Sequence, residues 1–423
     1  MSQVLVAMSG GVDSAVAAAL LVEQGHDVTG VHLKLADVPL DEQVPGHGCC
    51  TLDDAQDARR AAQVLGIPFY VWDLSETFVR EVQDPFAQAY AAGTTPNPCV
   101  TCNERVKYAA LLDRALGSGF DALATGHHAR LRRDGEPVTS PGTNTRLIRA
   151  EDMRKDQSYV LYVATQAQLD HTLLPVGEIP KDQVRQIAAD LKFRVADKPD
   201  SYDVCFIPDG DTTGYLADKL PETPGPIVDL DGSHLGDHDG VWGFTVGQRR
   251  GLGISNAPPL TNANGRVQKR FVVDVDADRS TVTVGPRDAL ACRWVEVTAP
   301  SWTTGAAPTG PVRVQIRAHG ATVPGRVVPT DVAATDAVPG TAANATGSAP
   351  SPAAATVAAA DGAAADDAAA ASQSVRIEFD EPFHGVAIGQ AAVIYDADDV
   401  VCLGGGRVTH AQRPTSLPVF GGV

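Results

Sequence analysis

The sequence predicts an α/β protein with three parts: a parallel-sheet domain, a small middle domain and a C-terminal antiparallel β-barrel. Strand-like and helix-like segments alternate over residues 1–165, residues 166–268 are rich in turns, and apolar residues alternate with polar ones over much of 269–423. Alternating strands and helices are typical of a parallel sheet with helices on both faces, whereas a period of two residues is typical of antiparallel sheets.

The N-terminal segment predicts a buried strand, a glycine turn and a helix in immediate succession. Residues 4–8 form an apolar run of the kind found in strands covered on both faces. The turn Ser9–Gly11 allows the backbone to approach a ligand closely, because glycine has no Cβ atom. Asp13 and Ser14 then lie at a helix start, where N–H groups and the helix dipole favour an anion. A glycine turn that binds nothing is the alternative.

The alternation of strands and helices continues beyond this first unit. Strands are expected at residues 27–33, 69–74 and 122–125, and helices at 53–65, 75–92 and 104–116. Ligands of open parallel sheets bind at the carboxyl ends of the strands. The glycine turn and the segment Thr125-Gly126-His127-His128 each follow a strand, so we expect both at this edge.

The C-terminal part predicts a barrel with an insertion. A hairpin is expected over residues 271–284, with further strands at 312–316 and 375–379. Residues 331–374 contain no Lys, Arg, Leu, Ile or aromatic residue. Such a segment cannot bury enough apolar surface to offset the entropy of ordering, so we expect a disordered insertion. The predicted domains are therefore 1–165, 166–268 and 269–423.

Composition restricts the class of protein. The net charge is −18, which argues against a protein that holds nucleic acid by its overall charge, although Arg249, Arg250 and Lys269 could belong to a local basic surface. No apolar run is long enough to cross a membrane, and the N-terminus enters a strand without a signal peptide. Seven cysteines in 423 residues do not form a disulfide scaffold. We therefore expect a cytoplasmic protein without a membrane partner.

Three cysteines lie in segments that suggest chemistry. Cys99 and Cys102 belong to a proline-rich segment that we expect to be neither helix nor sheet. Cys102 precedes the expected helix, a position that lowers the pKa of a thiol. Cys205 lies at a turn. Three interpretations stay open: unrelated thiols, a metal or iron–sulfur site in which Cys49-Cys50 supply extra ligands, and sulfur transfer by thiol exchange.

Several motifs together resemble a known family. The motifs are Ser9-Gly10-Gly11-Val12-Asp13-Ser14, Thr95-Pro96-Asn97-Pro98 with Cys102-Asn103, Ala124-Thr125-Gly126-His127, Lys155-Asp156-Gln157-Ser158-Tyr159, Val204-Cys205-Phe206-Ile207, Gly247-Gln248-Arg249-Arg250-Gly251-Leu252-Gly253 and Cys402-Leu403-Gly404-Gly405-Gly406. The first of these motifs resembles the pyrophosphate (PP) loop of the N-type ATP pyrophosphatases, a group of enzymes with an adenine nucleotide alpha hydrolase-like fold. The whole set, in this order, resembles the bacterial tRNA-specific 2-thiouridylases.

The resemblance implies an enzyme that adenylates the 2-oxygen of a tRNA wobble uridine with ATP, accompanied by Mg, and replaces it with sulfur. A sulfur-carrier protein would deliver sulfur to Cys205 as a persulfide, and Cys102 would be the nucleophile that forms a disulfide with Cys205 as the sulfur is released. The residues implied for ATP are Ala7, Met8, Ser9, Gly10, Gly11, Val12, Asp13, Ser14, Leu33 and Gly126. Those implied for the target base are Asn97, Pro98 and Cys99, and those for tRNA are His127, Lys155, Asp156, Gln157, Arg317 and Gln390.

One position departs from the family pattern. Many relatives carry an acid that could move a proton at the base where this chain has Cys99. Cys99 could instead support Cys102 in thiol exchange, or add a ligand to an iron–sulfur cluster. Two further hypotheses for the function of the chain stay open. It could be a different ATP pyrophosphatase that amidates or ligates a small molecule, or a non-catalytic nucleotide- or RNA-binding protein.

Overall fold

The structure is a computed structural model that describes residues 1–35, 52–200, 204–207, 209–262, 264–329 and 374–412. The predicted insertion at 331–374 and the pair Cys49-Cys50 lie outside the described residues, apart from Ser374. No helix in the described ranges is both long enough and apolar enough to span a bilayer.

The first domain is a parallel sheet with helices on its faces. Its sheet has the order β3-β2-β1-β4-β8, and every pairing is parallel. A small antiparallel sheet, β6-β5-β7, lies beside it. The elements are β1 (Gln3–Ala7), α1 (Val12–Glu23), β2 (Asp27–Lys34), α2 (Leu52–Leu65), β3 (Phe69–Asp73), α3 (Ser75–Phe78), α4 (Asp84–Ala91), α5 (Pro98–Thr101), α6 (Asp113–Gly117), β4 (Ala122–Ala124), β5 (Ala129–Arg133), β6 (Glu136–Pro137), β7 (Arg146–Arg149), α7 (Ser158–Leu161), α8 (Gln166–Asp170), β8 (Thr172–Leu173) and α9 (Lys181–Asp190).

Two π-helical stretches join short α-helices into long ones. Val79–Gln83 links α3 to α4, and Cys102–Leu112 links α5 to α6. The predicted helix over residues 75–92 is therefore confirmed as one continuous helix. The helix expected from residue 104 begins earlier, at Pro98, so the interpretation of this proline-rich segment as non-helical was wrong. Proline is tolerated in the first helical turn, where its missing N–H group would have no acceptor.

The first domain extends beyond the predicted boundary at residue 165. Strand β8 pairs with β4, and α9 packs on α1, with Val184 and Ala188 in the same apolar cluster as Val16. The sequence placed these residues in the middle domain because β8 has only two residues and gives no strand pattern. The chain therefore returns to the first sheet before it leaves for the middle domain.

The middle domain contains the hairpin that the sequence analysis assigned to the barrel. Its sheet has the order β10-β9-β14-β13, in which β14 pairs with β9 in parallel. The hairpin itself is confirmed, but its partner is β9 and the boundary at residue 268 was wrong. The elements are α10 (Thr212–Lys219), β9 (Gly225–Asp229), β10 (His234–His238), β11 (Leu260–Thr261), β12 (Val267–Gln268), β13 (Phe271–Asp276) and β14 (Thr281–Gly285).

The C-terminal domain is a closed antiparallel barrel of the order β15-β18-β17-β16-β19-β20, which confirms the predicted barrel. Its interior is filled by alternating residues such as Val312 and Val314 on β16 and Val375 and Ile377 on β18. The strands are β15 (Ala291–Trp302), β16 (Pro311–Gln315), β17 (Val323–Pro329), β18 (Ser374–His384), β19 (Ala391–Tyr395) and β20 (Cys402–Ala411).

Strands β17 and β18 flank the predicted insertion, and they are neighbours in the barrel. Pro329 pairs with Val375, so the two ends of the connecting segment lie side by side. A much shorter connection can join such ends, because shortening a loop lowers its closure entropy only slowly. We expect deletion of Pro339 to Ala371 to change the free energy of unfolding by no more than about 1.5 kcal/mol. Urea unfolding of the two proteins measures this difference, and loss of the barrel's transition in the deletion variant would contradict it.

A buried polar cluster fastens the barrel to the first domain. The Arg149 guanidinium on β7 donates to Asp156 at 2.6 Å, to Asp399 at 2.9 Å and to Gln315 at 3.0 Å. It also lies over the Tyr395 ring, with its central carbon 3.6 Å from the ring centre. Because Gln315, Tyr395 and Asp399 belong to the barrel and Arg149 and Asp156 to the first domain, this cluster fixes the relative position of the two.

Candidate active site

The glycine turn connects β1 to α1 in a conformation that only glycine allows at its centre. Gly10 has a φ of +83°, and a Cβ atom there would lie 2.3 Å from the carbonyl oxygen of Asp54 on α2. Ser14 stabilises the turn: its hydroxyl accepts from the Ser9 N–H at 3.1 Å and donates to the Gly11 carbonyl at 3.1 Å. The first N–H groups of α1 therefore point out of a narrow turn at the carboxyl edge of the sheet, as expected for an anion site.

Asp13 in the first turn of α1 is held by two partners that the sequence analysis did not identify. The Lys181 ammonium contacts both carboxylate oxygens at 2.7 Å, and His128 Nε2 donates to the carboxylate at 3.0 Å. Burial raises the pKa of Asp13, but the hydrogen bond from His128 and the charge of Lys181 outweigh burial and hold this pKa below its ordinary value. The carboxylate is therefore ionised at neutral pH.

Two further charged residues connect the glycine turn to the chain that leads to Cys205. The Lys198 ammonium donates to the Gly10 carbonyl at 2.9 Å and to Asp54 at 2.6 Å. Asp200 accepts from Lys181 at 2.9 Å and from Lys155 at 2.7 Å. Burial raises the pKa of Asp200, whereas these hydrogen bonds lower it well below its ordinary value. Charged residues on both sides of the glycine turn therefore hold the chain a few residues before Cys205.

Gly126 and Leu33 lie beside the glycine turn, at the ends of β4 and β2. Leu33 is buried in the apolar cluster under the sheet. Gly126 packs directly on the start of α1, where a Cβ atom would lie 2.6 Å from the backbone nitrogen of Ser14. Both residues implied for the nucleoside are thus close to those implied for the phosphates.

We expect Gly126→Ala to weaken ATP binding. The added methyl group would meet the Ser14 backbone, and overpacking of this kind costs about 1–3 kcal/mol, which corresponds to a loss of about 5- to 150-fold. The matched control is Gly117→Ala at the end of α6, where a Cβ atom meets nothing within 4 Å. Equilibrium dialysis with ATP measures both variants. Equal affinities would show that ATP does not require this close packing.

Cys102 lies inside a capped helix rather than at its start. The side-chain oxygen of Asn97 accepts from the Cys99 N–H at 3.0 Å and from the Val100 N–H at 3.2 Å, and Pro98 occupies the first helical position. The expectation that Cys102 precedes the helix was therefore wrong. Cys99, not Cys102, belongs to the first turn. Cys102 is 8% exposed, whereas Cys99 is half-buried.

Cys205 lies in the turn expected for it, and this turn packs on the apolar cluster that contains Cys102. Cys102 is a member of the main apolar cluster of the first domain, and Cys205 and Phe206 pack on the same cluster. The Phe206 ring meets Phe78 and Phe86 edge-on, with ring centres 5.7 and 5.4 Å apart. Both cysteines are thiols in this structure. Both cysteines predicted to be catalytic therefore contact the same apolar cluster.

The metal or iron–sulfur interpretation stays a prediction, because Cys49 and Cys50, its extra ligands, lie outside the described residues. Over the described ranges, no three His, Cys, Asp or Glu side chains are arranged to hold a metal ion. Cys99, Cys102 and Cys205 all fall within these ranges.

The residues implied for tRNA occupy different environments. Asp156 is buried, with a side chain 5% exposed, and is paired with Arg149. Gln157 accepts from the backbone N–H of His128 at 2.8 Å. His127 is half-buried, whereas Lys155 is partly exposed and reaches Asp200. The Asp156 side chain therefore organises the site from inside, whereas Lys155 and Gln157 are exposed and His127 is partly accessible.

The two barrel residues implied for tRNA lie on or beside a loop that touches the Cys102 region. Arg317 is exposed and donates to the Gly385 carbonyl at 2.8 Å. Gln390 is half-buried at the end of this loop, and the neighbouring Ile388 carbonyl accepts from the Thr95 N–H at 2.7 Å. The barrel thus closes one side of the candidate site.

Comparisons with known proteins first define the class of domains. Residues 2–209 match the family described as "tRNA methyl transferase HUP domain", residues 213–286 the "tRNA methyl transferase PRC-barrel domain", and residues 363–408 the "Aminomethyltransferase beta-barrel domain". The first two ranges agree with the first and middle domains, and the middle one includes the hairpin β13–β14. The third range lies within the barrel and covers β18, β19 and most of β20. The predicted fold class is confirmed.

Curated relatives then identify the family. The chain is 48% identical over 399 residues to the tRNA-specific 2-thiouridylase MnmA of Salinispora arenicola, covering 94% of this chain and 95% of the relative. It is 45% identical over 413 residues to that of Thermobifida fusca, covering 97% and 96%. The protein belongs to the tRNA-specific 2-thiouridylase (MnmA) family of enzymes. A solved 4-thiouridine synthetase with RNA and ATP is more distant, at 16% identity and a TM-score of 0.31, over 52% of this chain and 50% of the other.

Proposed function

We propose that the protein uses ATP to replace the 2-oxygen of the wobble uridine of tRNA with sulfur. Family membership supports the reaction class. The observation that carries the mechanism is the packing of the Cys102 helix and the Cys205 turn against one apolar cluster, beside a glycine turn suited to phosphate groups.

Adenylation is the first proposed step. The uridine 2-oxygen attacks the α-phosphorus of ATP, a phosphorus–oxygen bond to the β-phosphate breaks, and pyrophosphate leaves. The turn from Ala7 to Ser14 would bind the phosphates, because helix N-termini and glycine turns favour anions. Leu33 and Gly126 would face the nucleoside. Mg would accompany ATP by binding phosphate oxygens.

Sulfur transfer is the second proposed step. The terminal sulfur of a Cys205 persulfide attacks carbon 2 of the base, and AMP leaves with the original oxygen. The Cys102 thiolate then attacks the Cys205 sulfur, which forms a Cys102–Cys205 disulfide and leaves the transferred sulfur on the base. A dithiol reductant restores the two thiols, and a sulfur-carrier protein supplies the next persulfide.

Binding of tRNA is proposed for the surface between the first domain and the barrel. His127, Lys155, Gln157, Arg317 and Gln390 would border this surface, and Asn97, Pro98 and Cys99 would lie beside it at the proposed base position. The wobble base must leave its stack to reach a buried thiol. On the middle domain, Arg249 and Lys269 line an open groove of about 540 Å³ that suits an RNA backbone despite the acidic total charge.

A reaction with purified components tests this function. The protein is incubated with ATP, Mg, a persulfide donor and unmodified tRNA, and nucleosides are analysed by mass spectrometry. We expect 2-thiouridine at the wobble position together with AMP and pyrophosphate. A tRNA with cytidine at that position is the control. Formation of an amide or ligated small molecule without tRNA would favour a different ATP pyrophosphatase, and activity that depends on bound iron and sulfide would favour the cluster route.

A further inference from the structure

The lysines around the proposed ATP site differ in how their charges are balanced. Lys181 is paired with Asp13 and Asp200, and Lys198 with Asp54 and Asp57. Lys107 is half-buried, yet no carboxylate among the described residues lies within ion-pair distance of it. A partly buried cation without a neighbouring anion is costly, so this position favours an anionic ligand.

A hydrogen bond to His127 orients the Lys107 side chain. Its ammonium donates to His127 Nε2 at 3.2 Å, and His127 Nδ1 meets the Thr125 hydroxyl at 2.7 Å. Burial and the charge of Lys107 lower the pKa of His127 well below its ordinary value, so the ring is neutral. The ring therefore accepts a hydrogen bond without neutralising the lysine. The positive charge remains at the site, beside the turn that follows β4.

Lys107 also belongs to the helix that carries Cys102. The stretch Cys102–Leu112 has π-helical geometry, in which hydrogen bonds join residues i and i+5. Lys107 therefore lies one helical turn after Cys102. Gly126 directly precedes His127, the partner of Lys107, in the sequence. Gly126 also packs on the start of α1, next to the glycine turn. Lys107 thus stands between the nucleotide position and the thiol.

From this placement, and resting on the proposed function, we infer that Lys107 is a catalytic residue that binds the α-phosphate of ATP. The adenylated uridine joins the base at the Cys102 side to the nucleotide at the Gly126 side through this phosphate. The negative charge on the oxygens of this phosphate grows when the uridine oxygen attacks the phosphorus, and it grows again when AMP leaves. The Lys107 ammonium donates an N–H hydrogen bond to a non-bridging oxygen in both steps, and no proton is transferred.

The binding test compares AMP with adenosine on the full chain by isothermal titration. Removal of a charge-assisted hydrogen bond should weaken AMP binding to Lys107→Met by about 10- to 100-fold and leave adenosine binding unchanged. Lys107→Arg should keep most of the preference for AMP. The control Lys192→Met removes an exposed charge at the end of α9 and should match the unchanged protein. An equal AMP-to-adenosine ratio in Lys107→Met and the unchanged protein would overturn the inference; Lys107→Gln gives the same comparison if the methionine variant does not fold.

The kinetic test separates a catalytic role from a positioning role through His127. A phosphate contact in the transition state predicts that kcat for tRNA-dependent AMP formation falls by about 100- to 1000-fold while the KM for tRNA is unchanged. A role only in holding His127 would raise that KM and leave kcat unchanged, which would overturn the inference. Failure of the proposed function looks different, because the unchanged protein would then form no AMP with tRNA.

Discussion

Replacement of either Cys102 or Cys205 by serine should abolish 2-thiouridine formation, with a loss of at least about 1000-fold. A hydroxyl cannot carry sulfur as a persulfide, and it cannot resolve one by thiol exchange. ATP binding should survive in both variants, because the glycine turn lies on other elements. Mass spectrometry of the tRNA measures the product, and equilibrium dialysis measures ATP binding.

Cys99→Ser is the matched control for this pair. Cys99 lies on the same helix as Cys102, half-buried in its first turn, and a two-thiol mechanism does not require it. We expect this variant to remain active. A double variant, Cys102→Ser with Cys205→Ser, that still thiolates tRNA would contradict the mechanism. Loss of activity in all three single variants, together with bound iron in active protein, would instead indicate cluster ligation.

Arg149→Met should destabilise the protein by about 3–5 kcal/mol, the typical effect of removing one partner of a buried ion pair. The change would leave the Asp156 carboxylate buried, 5% exposed, without its guanidinium, and it would also remove the contacts to Gln315 and Asp399 in the barrel. Urea unfolding followed by circular dichroism measures the difference. Because the cluster joins two domains, we also expect the barrel to unfold in a separate transition.

Arg279→Met is the control for the loss of an arginine. Arg279 is 61% exposed and lies 3.5 Å from Asp276, so its ion pair should contribute no more than about 1 kcal/mol. A second variant, Arg149→Met with Asp156→Asn, removes both charges and should recover part of the lost stability. Equal stability of Arg149→Met and Arg279→Met would show that the buried cluster does not hold the domains together.

The order of elements in the first domain could be predicted because its signals are local. The apolar run before Ser9 and the alternation of strands and helices are both signals carried by a few neighbouring residues. The hairpin β13–β14 was also predicted, but its neighbour was not. A period of two residues shows that a strand is half-buried and does not show which sheet completes it.

The charged partners of the site could not be predicted for a related reason. Lys181 follows Asp13 by 168 residues, and Lys198 follows Gly10 by 188. Nothing near either lysine distinguishes it from a solvated one, since their contacts exist only after β8 and α9 have packed on the first sheet. For Asp156 the motif gave a role, namely contact with tRNA. In the structure its environment is determined by its buried neighbour Arg149, which the motif did not indicate.

The contact between Gly389 and Thr95 restricts which barrels can be combined with this catalytic domain. Gly389 has a φ of +91°, and a Cβ atom there would lie 3.1 Å from three backbone atoms of Thr95. A chimera that takes its barrel from a relative must therefore keep a residue without a side chain at this point, or change the segment before Asn97 as well. We therefore expect substitutions at Gly389 and in the segment before Asn97 to be tolerated only in matched combinations.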